Sequence, residues 1–159
     1  MNVKTEIVKL FDKSKRFELE SGNHLSSVQV AYQTYGTLNS DGTNAILMCH
    51  ALTGNAHAAG VLDEEEFDIN SNPDLLNKYS SINKGKPGWW DNLIGDDKLF
   101  DTKKYFVISS NILGSCYGTT GPVSIKNIFN RNFGMDFPAV TVRDMVRLQK
   151  ELIDHLNVK

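Results

Sequence analysis

Two short segments carry most of the chemistry this sequence could perform. The first, His50-Ala51-Leu52-Thr53-Gly54-Asn55-Ala56-His57, follows directly on the apolar run Ala45-Ile46-Leu47-Met48-Cys49. Its small residues let a backbone approach a ligand closely, and ligands of open α/β sheets bind beyond the carboxyl ends of the strands. A backbone N–H placed there can be offered to the oxyanion that develops during acyl transfer. The same residues would serve equally well in an ordinary tight strand-to-loop turn. His50, His57 and Cys49 are metal-ligand types, but no further Cys/His pair stands at zinc-like spacing. Cys49 and His50, as neighbours on a strand, would also point to opposite faces. The two histidines are expected to anchor the loop by hydrogen bonds, and no metal site is expected.

The second segment is Asn111-Ile112-Leu113-Gly114-Ser115-Cys116-Tyr117-Gly118-Thr119-Thr120-Gly121-Pro122. It is rich in candidate nucleophiles, yet none sits in a G-x-S-x-G elbow, and that pattern occurs nowhere else in the chain. A thiolate at Cys116 would need partners that lower its pKa, and none is evident nearby, so a structural or pocket-lining cysteine is expected. Gly88-Trp89-Trp90-Asp91 sets two large aromatics beside a carboxylate. They could wall a ligand site, although burial is the commoner fate of such surface. Arg143, Asp144 and Arg147 could hold a carboxylate, but helix capping and a solvated face are the expected roles.

The elements that must position these residues are readable in outline. Arg16 to Glu20 and Val28 to Tyr35 are β-rich and separated by Ser21-Gly22-Asn23, which predicts a hairpin. Ala45 to Cys49 and Tyr105 to Ile108 are apolar throughout, as strands buried on both faces are. Between them, residues 62–86 are acidic at the front and polar behind, and predict a surface insertion with a short helix. Thr141 with Asp144 three residues on predicts a capped helix running to about His155, closed by Asn157 in the left-handed region. Val158-Lys159 would then begin a strand. The sum is an incomplete α/β sheet in one unit covering residues 1–159.

Composition narrows the function classes. Of 159 residues, 40% are hydrophobic and 23% charged, the balance of a globular domain. Seventeen basic and 19 acidic residues give a net charge of -2 and are scattered, so nucleic acid and anionic membrane are not expected as partners. Two cysteines far apart fit a reduced, cytoplasmic setting. Met1 to Phe17 lacks the apolar core of a signal peptide, and no apolar run reaches the roughly 20 residues of a membrane span.

Taken in order, Ala31 to Asn39 (A-Y-Q-T-Y-G-T-L-N), Cys49 to Gly60 (C-H-A-L-T-G-N-A-H-A-A-G), Gly88 to Asp91, Tyr105 to Pro122 and Asp136 to Arg147 resemble the homoserine O-acetyltransferases. The resemblance covers roughly Phe17 to Val158. It implies an α/β-hydrolase fold of which this sequence holds the N-terminal hairpin, the first central strands and the first helix. It implies a Ser-Asp-His triad that passes an acyl group from acetyl-CoA, as co-substrate rather than bound cofactor, to L-homoserine in methionine biosynthesis. It also implies a homodimer in the complete enzyme. None of the triad is present here, so the chain is expected to be inactive alone. The resemblance carries over one oxyanion donor, the backbone N–H of Leu52, and three neighbours lining the acyl pocket, Thr53, Gly54 and Asn55. A non-catalytic half that associates with a partner, or a decayed paralogue, is the alternative, and acetyl and succinyl donors stay undivided. Two departures stand out. The stretch 62–86 is longer than the family pattern, and Asp96-Asp97 replaces its Pro-Gly.

Overall fold

Alternation along one strand organises the molecule. In β5 (Val28–Tyr35) six of eight positions are buried. Val28, Val30 and Tyr32 face one layer, packed with Phe11, Phe17, Leu25, Ile108, Leu148 and Leu152. Tyr35 faces the opposite layer, packed with Met48, Ala58, Ala59, Ile94 and Val107. Period-two geometry sends Ala31 and Gln33 to that second side as well. The computed structural model describes residues 1–62, 83, 85–126 and 131–159.

The remaining strands are β1 (Asn2–Val3), β2 (Glu6–Phe11), β3 (Phe17–Glu18), β4 (His24–Leu25), β6 (Ala45–Met48), β7 (Val61–Leu62) and β8 (Phe106–Ser110). The main sheet has the order β2-β5-β8-β6. Its β2–β5 and β5–β8 pairs are antiparallel, and β6 runs parallel to β8. The Ser21-Gly22-Asn23 turn does join a hairpin, but its second arm is β4 rather than Val28 to Tyr35. The longer strand pairs instead with β2 and β8, an interior place in the sheet where side-chain layers cover both of its apolar faces. Strand β2, whose Lys9 and Glu6 mask its period, was not expected.

Three further expectations change. Strand β6 is fully buried only at Met48, since it is the last strand of the sheet among the described residues and its outer edge is open. Cys49 lies beyond it and is exposed. Leu62, expected at the start of a surface insertion, is a buried residue of β7 paired with Val3. The rest of that insertion lies outside the described residues apart from 83, 85 and 86. Val158-Lys159 forms no strand; the Lys159 amide donates to the Gly42 carbonyl at 2.8 Å.

The helix α1 (Val142–His155) forms as expected. Thr141 accepts from the Asp144 amide while the Asp144 carboxylate accepts from the Thr141 amide, a reciprocal capping box. Leu148 and Leu152, four residues apart, fill the layer on β5 and β8. Asp144 is fully buried and also accepts from the Glu20 amide at 3.0 Å, tying the hairpin to the helix. Burial pushes its carboxyl up, but those amides, the Thr141 hydroxyl and Arg147 outweigh it and hold it below the usual value. Arg143 pairs with Glu20 at 2.6 Å and Arg147 with Asp144 at 3.3 Å, so this cluster is a cap. Asn157 is left-handed at φ 61°. Asp97 is too, at φ 60°, a conformation that glycine adopts most readily.

Candidate functional site

At the end of β6 the chain makes a tight turn in which the Gly54 amide donates to the Ala51 carbonyl at 2.8 Å. Leu52 and Thr53 are its central residues, and a turn of this kind does not use the amides of its two central residues. No described residue accepts from either of them. The Leu52 side chain is 91% exposed, so the turn presents backbone rather than packing.

The next stretch behaves in the opposite way. Five successive amides are each taken by a side-chain oxygen. Ala56 N–H donates to Asn111 Oδ1 at 2.7 Å and His57 N–H to Asn55 Oδ1 at 2.9 Å. Ala58 and Ala59 N–H both donate to the Tyr35 phenol oxygen, at 3.0 and 3.1 Å, and Gly60 N–H donates to Asp91 Oδ1 at 2.7 Å. The acceptors come from the ends of β5 and β8, from the loop itself and from the Gly-Trp-Trp-Asp segment.

That segment also holds the loop through its backbone. Gly88, Trp89 and Trp90 donate to the carbonyls of Gly60, His57 and Ala58. A Cβ at Gly88 would collide with the Ala58 and Ala59 backbone, so the position requires glycine for close approach. Trp89 Nε1 donates to the Asn55 carbonyl at 2.9 Å, and Trp90 stacks on Phe100 with centroids 6.0 Å apart. Both tryptophans stay more than a third exposed, contrary to the expected burial. They wall a cavity of about 670 Å³ that is also lined by Cys49, His50, Thr53, Gly54 and Asn55. Cys49 and His50 therefore meet the same cavity, because both lie past the strand whose alternation would have separated them.

The histidines are anchors. His50 Nδ1 lies 2.7 Å from the Ala51 carbonyl oxygen. His57 sits between two acceptors, with Nε2 3.0 Å from the Lys86 carbonyl oxygen and Nδ1 3.3 Å from Gln33 Oε1. Burial pushes its pKa below the ordinary value, against the opposing effects of the Lys86 carbonyl and Asp91. A neutral ring donates through only one nitrogen. The ring therefore donates to one of these two oxygens at a time.

The loop after β8 is built differently. Thr119 Oγ1 accepts from Ala31 N–H and donates to the Asn111 carbonyl, and Thr120 N–H donates to the Gln29 carbonyl at 3.0 Å. The loop thus continues the edge of β5. A Cβ at Gly121 would collide with the Ser115 carbonyl, so its glycine serves packing. Cys116 is free and exposed and does not line the cavity. Neither Asn111 nor Tyr35 was singled out in the sequence, although both fall within motifs that carried the family resemblance.

The sheet order and this loop geometry define part of an α/β-hydrolase fold, and solved structures agree. The homoserine O-acetyltransferase of Bacillus anthracis is 35% identical with a TM-score of 0.75, over 99% of this chain and 38% of that one. An esterase is 32% identical with a TM-score of 0.76, over 98% of this chain and 38% of its own. No family model matches the chain. Within the fold, the chain corresponds to the N-terminal part of the homoserine O-acetyltransferases. That of Deferribacter desulfuricans is 52% identical over 157 residues, and that of Moorella thermoacetica 50% over 151. These matches take in 99% and 95% of this chain but only 36% of either relative. Among the described residues, no helix is long and apolar enough to cross a membrane.

Proposed function

We propose that this chain carries the oxyanion-binding part of an acyl-CoA-dependent acyltransferase site whose acceptor is L-homoserine. The observation that carries the reading is the Ala51–Gly54 turn, whose central amides, Leu52 and Thr53, have no acceptor among the described residues, with Thr53 lining the cavity, while the five amides from Ala56 to Gly60 are occupied. In the proposed reaction a serine oxygen, from polypeptide outside these 159 residues, attacks the thioester carbonyl of acetyl-CoA. The carbonyl oxygen becomes an oxyanion, which accepts from Leu52 N–H. Collapse expels CoA as its thiol and leaves a serine ester, and the homoserine hydroxyl then takes the acyl group and frees the serine. Thr53, Gly54 and Asn55 line the acyl side of the cavity. Asn83 and Lys86, from the end of the insertion, form part of its rim. A cytoplasmic setting and a homodimer of the complete polypeptide accompany this reading, with no bound cofactor.

The test uses acetyl-CoA and L-homoserine with two proteins, this chain alone and a chimera in which it replaces the corresponding third of the Deferribacter relative. The chain alone should give no turnover above background, because the 159 residues contain no serine elbow. The chimera should form O-acetylhomoserine. Turnover by the chain alone, or hydrolysis without transfer by the chimera, would overturn the reading; the second outcome would point to the esterase neighbour. Succinyl-CoA as competing donor divides the two acyl classes.

A further inference from the structure

We propose that Tyr35 is the positioning residue of this site: its phenol oxygen, by holding the Ala58 and Ala59 amides together, sets the path of the His50–His57 loop and so the aim of its unused donors. This rests on the acyl-transfer reading above.

Hydrogen-bond counting fixes the arrangement. The phenol oxygen accepts from two backbone amides, at 3.0 and 3.1 Å, which fills its acceptor capacity. Its own proton must then go to an acceptor, and Gln33 Oε1 lies 2.6 Å away. The Gln33 amide is thereby oriented, and its Nε2 donates to Thr5 Oγ1 at 2.7 Å. Tyr35 and Gln33 are both buried, at 2% and 0% exposure. Burial raises the phenol pKa to about 12 despite the two amides, so the proton that orients it stays in place at any working pH. The ring belongs to β5, which is hydrogen-bonded on both edges. A rigid sheet thus dictates the course of two consecutive peptide units a few residues beyond the turn.

Tyr35→Phe removes the oxygen and little else. Amide hydrogen exchange on the 159-residue chain should then rise by about tenfold or more at Ala58 and Ala59, the cost of leaving buried donors unpaired, with α1 and β8 amides unchanged. In the chimera, kcat for acetyl transfer should fall about 10- to 100-fold with KM for homoserine unchanged, as misplacement of a catalytic group does. A merely structural tyrosine would raise exchange uniformly across the chain or leave kcat at the wild-type value, and either result overturns the proposal, as does unchanged exchange at Ala58 and Ala59. Should Tyr35→Phe fail to fold, Gln33→Leu, which keeps the phenol but removes its acceptor, is read by the same criteria. If the unmodified chimera transfers no acetyl group, the function proposed above fails while the exchange pattern still decides whether Tyr35 sets the loop.

Discussion

After β6 the chain gives the five successive amides of Ala56 to Gly60 to side-chain oxygens, and those of Leu52 and Thr53 at the turn tip have no acceptor among the described residues, whereas after β8 Asn111, Thr119 and Thr120 bond to the backbone of β5. Both loops are rich in glycine and small residues, and both follow parallel strands. The difference shows that such composition does not by itself fix how a loop is held. In the first loop, glycine at position 88 admits a clamp from the Gly-Trp-Trp-Asp segment, which holds the loop through the Gly60, His57 and Ala58 carbonyls. In the second, glycine at 121 admits the loop's own backbone, against the Ser115 carbonyl. Asn111 joins the two, accepting from Ala56 and donating to the Tyr117 carbonyl.

Breaking that joint should have the largest effect. Asn111→Leu keeps the volume, leaves the buried Ala56 amide without its acceptor and removes a donor to the Tyr117 carbonyl, so urea denaturation should report a loss of about 3 kcal/mol. Gly88→Ala strikes the first loop alone. Overpacking against the Ala58 and Ala59 backbone should cost about 2 to 3 kcal/mol and shift the Trp89 and Trp90 emission, while Cys116, in the second loop, keeps its rate of alkylation.

The pH response sharpens the contrast further. His57 belongs to the first loop, and burial holds its folded pKa below the unfolded value of about 6.5. The stability contributed by the neutral ring is therefore fully present above about pH 6.5 and is lost as pH falls from there toward the depressed folded value. Tryptophan emission followed from pH 7 to 5 should show this loosening, and His57→Gln should flatten it. In the second loop, Cys116→Ala should change stability by no more than about 0.5 kcal/mol, as expected of an exposed side chain outside the packed contacts.

How much of this could be read in advance follows from the range of each interaction. The capping box at Thr141 and Asp144 spans three residues, and its pattern is local. Strand β8 showed itself through an unbroken apolar run. The partner of β3 was misread because the turn at Ser21-Gly22-Asn23 signals a reversal but not which later segment pairs. The amide clamp was out of reach for a similar reason: Asn111 lies 55 residues from Ala56 and Tyr35 lies 23 from Ala58, distances over which no periodicity speaks. The family resemblance singled out the loop without saying what holds it.

On the proposed function the turn donates through its backbone, and one substitution removes that donor while keeping the turn. Leu52 occupies the first central position of the Ala51–Gly54 turn, where proline is favoured, and proline has no N–H. In the chimera, Leu52→Pro should lower kcat for acetyl transfer by about 10² to 10³, the range for loss of one oxyanion donor, whereas Leu52→Ala should leave it near the wild-type value. Equal kcat for the proline and alanine variants would contradict the account.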